Sequence, residues 1–345
     1  MKTKKINLFI IFICLFQIGF SQDGYPLSGN IKKDIKLYKE WFGDSYIDSL
    51  YCYEGSLSSY KKKQKEFLSK ELNISCLILY GHSPANKPMK KIAARDKTKE
   101  PYKIPASVHT LELWYGELPL SFDLNPNQKT LTELTIYEGF AEKKDSILLN
   151  FSNLDSLSVL NLRYLIDDEP PCIQLTLPRN LRSFATNIPV SNIVSLPESL
   201  KELYIRRDSI YPFSIQSLPD LWLVLFYGDK LYSLPEELIN KPSLKNIIIE
   251  DTLTASDIEI LAKIPQLDTL TLVWNKKNPY PDNLNKLTNV SVIKLDFYLE
   301  TMWKQRYPIA QDIHRILPNT TVLYKVRKYE FYNNKRYSID SYIKY

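Results

Sequence analysis

"LPESLKELYI", residues 196–205, is preceded at 177–186 by "LPRNLRSFAT" and followed at 218–226 by "LPDLWLVLF". All three begin with Leu-Pro and continue into apolar residues spaced by one or two polar ones. A phrase that returns at this density belongs to an architecture, and its period identifies which one.

The pattern aliphatic-x-x-aliphatic-x-aliphatic extends far beyond these stretches. It reads "ISCLIL" (74–79), "VHTLEL" (108–113), "LTELTI" (131–136), "LSVLNL" (157–162) and "LRSFAT" (181–186). It continues as "LKELYI" (200–205), "LWLVLF" (221–226), "LKNIII" (244–249), "LDTLTL" (267–272) and "VSVIKL" (290–295), with a degenerate copy "TTVLYK" (320–325). The middle apolar position falls at 77, 111, 134, 160, 184, 203, 224, 247, 270, 293 and 323. The steps are 34, 23, 26, 24, 19, 21, 23, 23, 23 and 30 residues. Alternation within each copy is the period of a strand. Leu200, Leu203 and Ile205 face one way, while Lys201, Glu202, Tyr204 and Arg206 project elsewhere. A strand this short cannot bury its face alone, so stacked copies with a shared aliphatic core are expected. Each buried Leu or Ile then contributes roughly 1.5–3 kcal/mol.

This pattern resembles the leucine-rich repeat family over residues 72–325. The resemblance implies an α/β solenoid: a horseshoe with a parallel β-sheet on its concave face and a mixed helix, 3-10 and extended convex side. The family motif places Asn at its ninth position. Here that position reads Asp208, Asp229, Thr252 and Asn275 in four consecutive repeats, and Gly116, Gly139, Leu165, Pro189 and Tyr298 elsewhere. The incomplete ladder argues against uniform curvature. Pro178, Pro197 and Pro219 suit the turn that returns from the convex side, because a missing N–H breaks no sheet bond there. The 19- and 21-residue steps leave little room for a helix, so extended or 3-10 returns are expected. Longer units read as helical: "SDIEILAKIP" (256–265), with Ser256 and Glu259 in capping-box spacing, and "PIAQDIHRILP" (308–318).

The expected organisation has four parts. Residues 1–21 read as a signal peptide: a basic "MKTKK", an apolar "INLFIIFICLFQIGF", and Gly19 and Ser21 before cleavage at Gln22. Residues 22–73 are expected to form a helical N-terminal cap, with amphipathic helices at 31–42 and 58–72. Residues 74–325 are the solenoid of ten to eleven repeats, with a basic, proline-containing loop at 83–105. Residues 326–345 form a basic, Tyr-rich C-terminal cap or tail, with Asn333-Asn334 turning a hairpin. The mature chain has no other long apolar run, so no membrane span is expected, and the reading is an exported protein: secreted, periplasmic or surface-held.

Composition narrows the function. Of 345 residues 44% are hydrophobic and 12% aromatic, with 24 Tyr and 5 Trp. Removing Lys2, Lys4 and Lys5 lowers the formal charge from +6 to +3, too near neutral for a nucleic-acid binder. No nucleophile elbow, glycine-rich phosphate loop, metal-ligand spacing or catalytic pairing is visible, so neither an enzyme nor a cofactor or metal is expected. Export permits a disulfide. Cys52 and Cys76, both near the N-terminal end of the array, are the favoured pair, against ordinary buried thiols.

In the family the residues flanking the strand aliphatics point outward from the concave face. Here the resemblance assigns ligand contact to Trp114, Tyr115, Tyr137, Tyr164, Tyr204, Arg206, Arg207, Trp222, Tyr227, Trp274 and Phe297. Aromatic and Arg side chains are the usual anchors of interfaces. A protein partner, through recognition or adhesion, is the first expectation. A glycan stacked on Trp114, Trp222 and Trp274 is the second.

Overall fold

The computed structural model describes residues 25–26, 36, 50–68, 73–80, 102–114, 122–124, 127, 129–137, 146–163, 172–186, 196–206, 215–227, 233–250, 253–274, 280–297, 306–332 and 335–345. The signal peptide, the 31–42 helix apart from Lys36, most of the 83–105 loop and every ninth-position residue named above lie outside them.

The strands in chain order begin β1 (Tyr25–Pro26), β2 (Leu50–Ser56), β3 (Asn73–Tyr80), β4 (Tyr102–Lys103), β5 (Thr110–Trp114) and β6 (Phe122–Asp123). They continue β7 (Glu133–Tyr137), β8 (Ser146–Asn150), β9 (Val159–Arg163), β10 (Cys172–Thr176), β11 (Ser183–Thr186) and β12 (Glu202–Arg206). The last are β13 (Leu223–Tyr227), β14 (Asn246–Ile249), β15 (Thr269–Trp274), β16 (Val292–Phe297), β17 (Thr321–Tyr332) and β18 (Lys335–Lys344). Helices α1 (Leu57–Phe67), α2 (Ala255–Leu261) and α3 (Arg306–Ile316) and 3-10 turns at Glu236–Asn240 and Asp282–Lys286 occupy return segments. The chain forms two compact units: Met1–Lys144 with Asn153–Glu169, and Asp145–Ser152 with Pro170–Tyr345.

In the first unit, strands β1, β2, β3, β5, β7 and β9 lie side by side, all parallel. The register aligns Tyr53, Leu77, Leu111, Leu134 and Leu160, one per strand. All five are buried. The sequence reading began the array at residue 74 and placed only helix before it. The structure adds β2, which carries Tyr53 in the leucine position. Helix α1 follows, capped by the Ser56 hydroxyl accepting from the Ser59 amide at 3.2 Å. Its Tyr60 and Phe67 rings stack 5.3 Å apart, and Phe67 lies 4.5 Å from Tyr53. The Tyr60 hydroxyl reaches back to donate to the Lys103 carbonyl at 2.6 Å, which satisfies a buried phenol. Gly55 lies beside Tyr53, where a Cβ would come within 2.7 Å of the Tyr53 Cζ.

In the second unit, β11 through β17 are parallel neighbours in sequence order, and β18 closes the edge antiparallel to β17. The aligned residues are Phe184, Leu203, Val224, Ile247, Leu270, Ile293 and Val322. Here the degenerate last copy differs from the sequence reading by one residue. Val322 takes the core position and is fully buried, while Leu323 pairs with Lys294 and is half-buried. Two adjacent aliphatics leave the alternation ambiguous, and a one-residue slip exchanges faces.

Extended returns are seen in the longer steps, while most of the 19- and 21-residue returns, at 187–195 and 207–214, lies outside the described residues. β8 and β10 pair parallel over five residues on return segments, and β4 pairs with β6 in the first unit. Four of the described returns end in a tight turn whose amide donates three residues back: Leu157 to Leu154, Leu181 to Pro178, Leu200 to Pro197 and Leu218 to Ile215. This explains the Leu-Pro phrase. Pro178 and Pro197 contribute a carbonyl to the turn, and Pro219 a fixed φ within the next one, so no N–H is lost.

Polar side chains tie successive returns together. Asn127 Nδ2 donates to the Pro105 carbonyl at 2.7 Å, and Asn289 Nδ2 donates to Leu261 and Ile264 at 2.9 and 2.8 Å. Lys241 does the same with its ammonium, donating to the Gln216 carbonyl at 2.8 Å. Burial holds its pKa below the usual lysine value, against the pull of Glu237. At α2 the capping box is Thr254 with Asp257, two residues before the expected Ser256 and Glu259. The reason is a second role for Asp257: its carboxylate accepts from the Thr254 amide at 2.8 Å and from Leu234 in the preceding return at 3.0 Å. Ser256 sits outside, with its hydroxyl on Thr254 and Ser233.

Leu203→Asp places a carboxylate in the fully buried ladder and should cost more than about 4 kcal/mol. A wild-type melting temperature and proteolysis pattern would contradict this register. Gly55→Ala should destabilise by roughly 1–3 kcal/mol through overpacking against Tyr53, while Gly55→Ala with Tyr53→Phe, which removes the crowding hydroxyl, should recover part of that loss in a thermal melt.

Candidate recognition surface

Successive strand residues alternate between buried and half-buried in β5, β7 and β13, so in these strands one sheet face is core and the other, the open face, is partly exposed, whereas β11 is buried on both faces. What stands on the open face is set by register.

In the first unit Trp114 and Tyr137 are register partners at the ends of β5 and β7. Their rings stack with centroids 3.9 Å apart at 21°. The Trp114 indole N–H donates to the Glu112 carboxylate two residues earlier on the same face. Burial pushes the Glu112 pKa up, the Trp114 hydrogen bond opposes this, and the charge of Glu54 adds to the rise. Beside them, Asn161 Nδ2 donates to Thr135 Oγ1 at 3.1 Å. Tyr115 and Tyr164 lie outside the described residues.

In the second unit the open face has rows running across the strands. At the strand entrances stand Arg182, Lys201, Trp222, Lys245, Asp268 and Ser291, all exposed. Trp222 is 37% exposed, unusual for so large an apolar ring. Among the described residues, no ion pair engages Arg182, Lys201 or Lys245. The row at mid-strand is Tyr204, Leu225, Ile248, Thr271, Lys294 and Leu323. Its first three members form a half-buried apolar strip. The Tyr204 hydroxyl donates to Glu202 at 3.4 Å, and burial together with that carboxylate raises its pKa to about 12.

Toward the strand ends, Arg206 pairs in register with Tyr227, and Trp274 with Phe297. Only the backbones of Arg206, Trp274 and Phe297 are described, and Arg207 lies outside. The C-terminal side of the sheet is charged: Lys325 meets Asp296 at 3.1 Å, and Lys294 lies 5.6 Å above the Tyr342 ring.

No family model matches the chain, and no curated protein matches it. Among solved structures it is similar to an LRR protein of Leptospira interrogans, at 15% identity over 86% of this chain and 99% of that chain, with a TM-score of 0.23.

The expected site residues therefore separate into local groups. Trp114 and Tyr137 are in contact. Arg206 and Tyr227 are neighbours, with Tyr204 two residues before Arg206. Trp222 belongs to the entrance row. Sequence reading chose aromatic and Arg side chains and passed over Leu223, Leu225 and Ile248, which the same alternation puts on the open face. It also passed over the cations flanking Trp222. No group of three or more His, Cys, Asp or Glu among the described residues is arranged to hold a metal ion. A small apolar crevice lined by Leu203, Ile205, Val224 and Phe226 belongs to the aliphatic interior. No helix among the described residues is long and apolar enough to cross a membrane.

Glu112 gives a pH prediction. Its folded pKa lies above the ordinary 4.5. The folded chain thus holds the proton more tightly than the unfolded chain, and ionisation costs stability as pH rises through that range. Glu112→Gln, which keeps an acceptor for Trp114, should raise the melting temperature at pH 7 and lose that advantage at pH well below 4.5. An equal gain at both pH values would contradict the assignment.

Proposed function

We propose that this chain is an exported leucine-rich repeat protein that recognises a partner protein through the open faces of its parallel sheets, without catalysis. The carrying observation is the strip Tyr204, Leu225 and Ile248, with Leu223 beside it, half-buried on the face of the parallel strands opposite the core. Parallel strands are ordinarily covered on both faces. Apolar side chains left in the middle of such a face favour a partner that covers them. Tyr204 and Tyr227 add rigid, amphipathic contact area, and the charged rim restricts orientation. The repeat spacing, the aliphatic ladders and the basic-then-apolar leader support the family and export parts of this reading.

A second reading has its own observation. Trp222 stands exposed between Lys201 and Lys245 in the entrance row. An exposed indole flanked by cations suits stacking on a sugar ring that carries an acidic substituent.

Two variants of the full chain separate the readings. Leu225→Asp with Ile248→Asp should abolish retention of a surface or medium protein in a pull-down while leaving the circular dichroism unchanged. Trp222→Ala with Lys245→Ala should leave that retention within about threefold. Glycan-array binding lost only in the second variant, with no protein retained by either, would replace protein recognition with glycan binding.

A further inference from the structure

We infer that Cys52 and Cys76 are a disulfide site that fastens the first long strand of the sheet to its neighbour. The geometry rests on an irregularity in pairing. Tyr51 pairs with Ile74, and the register then slips by one, so that Cys52 stands opposite Cys76. An unbroken register would set Cys52 against Ser75. A bulge of this kind re-aims the side chains that follow it, and here it places the two sulfurs 2.7 Å apart. Strands about 4.8 Å apart fall within the backbone separations that disulfides span. Closing to a covalent S–S bond of about 2.04 Å therefore moves the sulfurs by less than about 1 Å.

The same slip brings Tyr53 opposite Leu77. One bulge thus aligns the cysteines and also seats the Tyr53 ring against Phe67. Cys76 is fully buried and Cys52 is 8% exposed, so exchange begins at Cys52 or before β2 has docked. The oxidant is a small or protein disulfide. The Cys52 thiolate attacks one of its sulfurs and expels the other as a thiol, giving a mixed disulfide. The Cys76 thiolate then displaces the oxidant's remaining sulfur. The two electrons and both protons end on the oxidant's thiol pair. The cross-link closes a loop of residues 24 apart in sequence that contains α1. It restrains the first long strand, whose loss would expose the backbone of β3.

The test uses the full chain refolded with oxidised glutathione, denatured, blocked with N-ethylmaleimide without reductant, and digested. A peptide pair joined through Cys52 and Cys76, two hydrogens lighter than the separate thiol peptides, is expected. Adding reductant before blocking should convert it to two labelled peptides. Hydrogen exchange of β2 should be on the order of 100-fold faster in Cys52→Ser with Cys76→Ser than in the oxidised wild type. Maleimide or glutathione on both cysteines, or either one joined to Cys172, would overturn the inference, and neither outcome bears on the recognition surface.

Discussion

At the entrance to seven of the described strands a single carbonyl of the preceding repeat accepts two amides, and the rest of the structure depends on this contact. His109 accepts from Thr132 and Glu133, and Thr132 from Ser158 and Val159. In the second unit Arg182, Lys201, Trp222, Lys245 and Asp268 each play the same part for the repeat that follows. A five-residue strand has too few bonds to hold its own register. Anchoring its first two amides to one oxygen leaves a single setting, and every later residue falls into line. The aliphatic ladder is the consequence. Leu, Ile, Val and Phe meet their counterparts one repeat away, and within each unit the interior becomes an apolar column.

The anchor residue itself is free to vary, because the contact uses only its backbone. Its side chain points away from the core, which is why Arg, Lys, Trp and Asp succeed one another in one row. The outward positions inherit the same freedom. Nothing in the core requires Leu225 or Ile248 to be apolar, nor Trp222 to be large. These side chains stand where a fold alone is indifferent, and this makes the open face informative about binding.

Much of this was legible in the sequence, because a ladder needs one residue type at a fixed phase. The positions from Leu77 to Ile293 were read correctly from spacing alone. Reading failed where the chemistry of the phase changed. β2 offers Tyr53 in place of a leucine and a bulge in place of a regular step, so "LYCYEGS" (50–56) showed no ladder. At the other end Val322 and Leu323 were equally apolar, and only pairing with β16 chose between them. The Thr254–Asp257 cap was missed because Ser256 and Glu259 have the same spacing. What decides is the amide of Leu234 in another repeat, which no local pattern contains. Trp114, Tyr137, Tyr204 and Tyr227 were legible because strand alternation puts them opposite the core residues, whereas Trp222 precedes its strand and is exposed there. The apolar strip of the surface was not, because an aliphatic residue in a repeat is read as core until register shows otherwise.

The central claim is that each repeat advances by one strand spacing. Spin labels at the exposed anchors Lys201 and Ser291 test it most directly, because four carbonyl-to-amide steps separate them. Four spacings of about 4.8 Å put their backbones roughly 19 Å apart, and the account predicts a single narrow distance distribution near that value, widened only by the label arms. A broad distribution, or one centred beyond about 35 Å, would mean that these repeats do not stack in register.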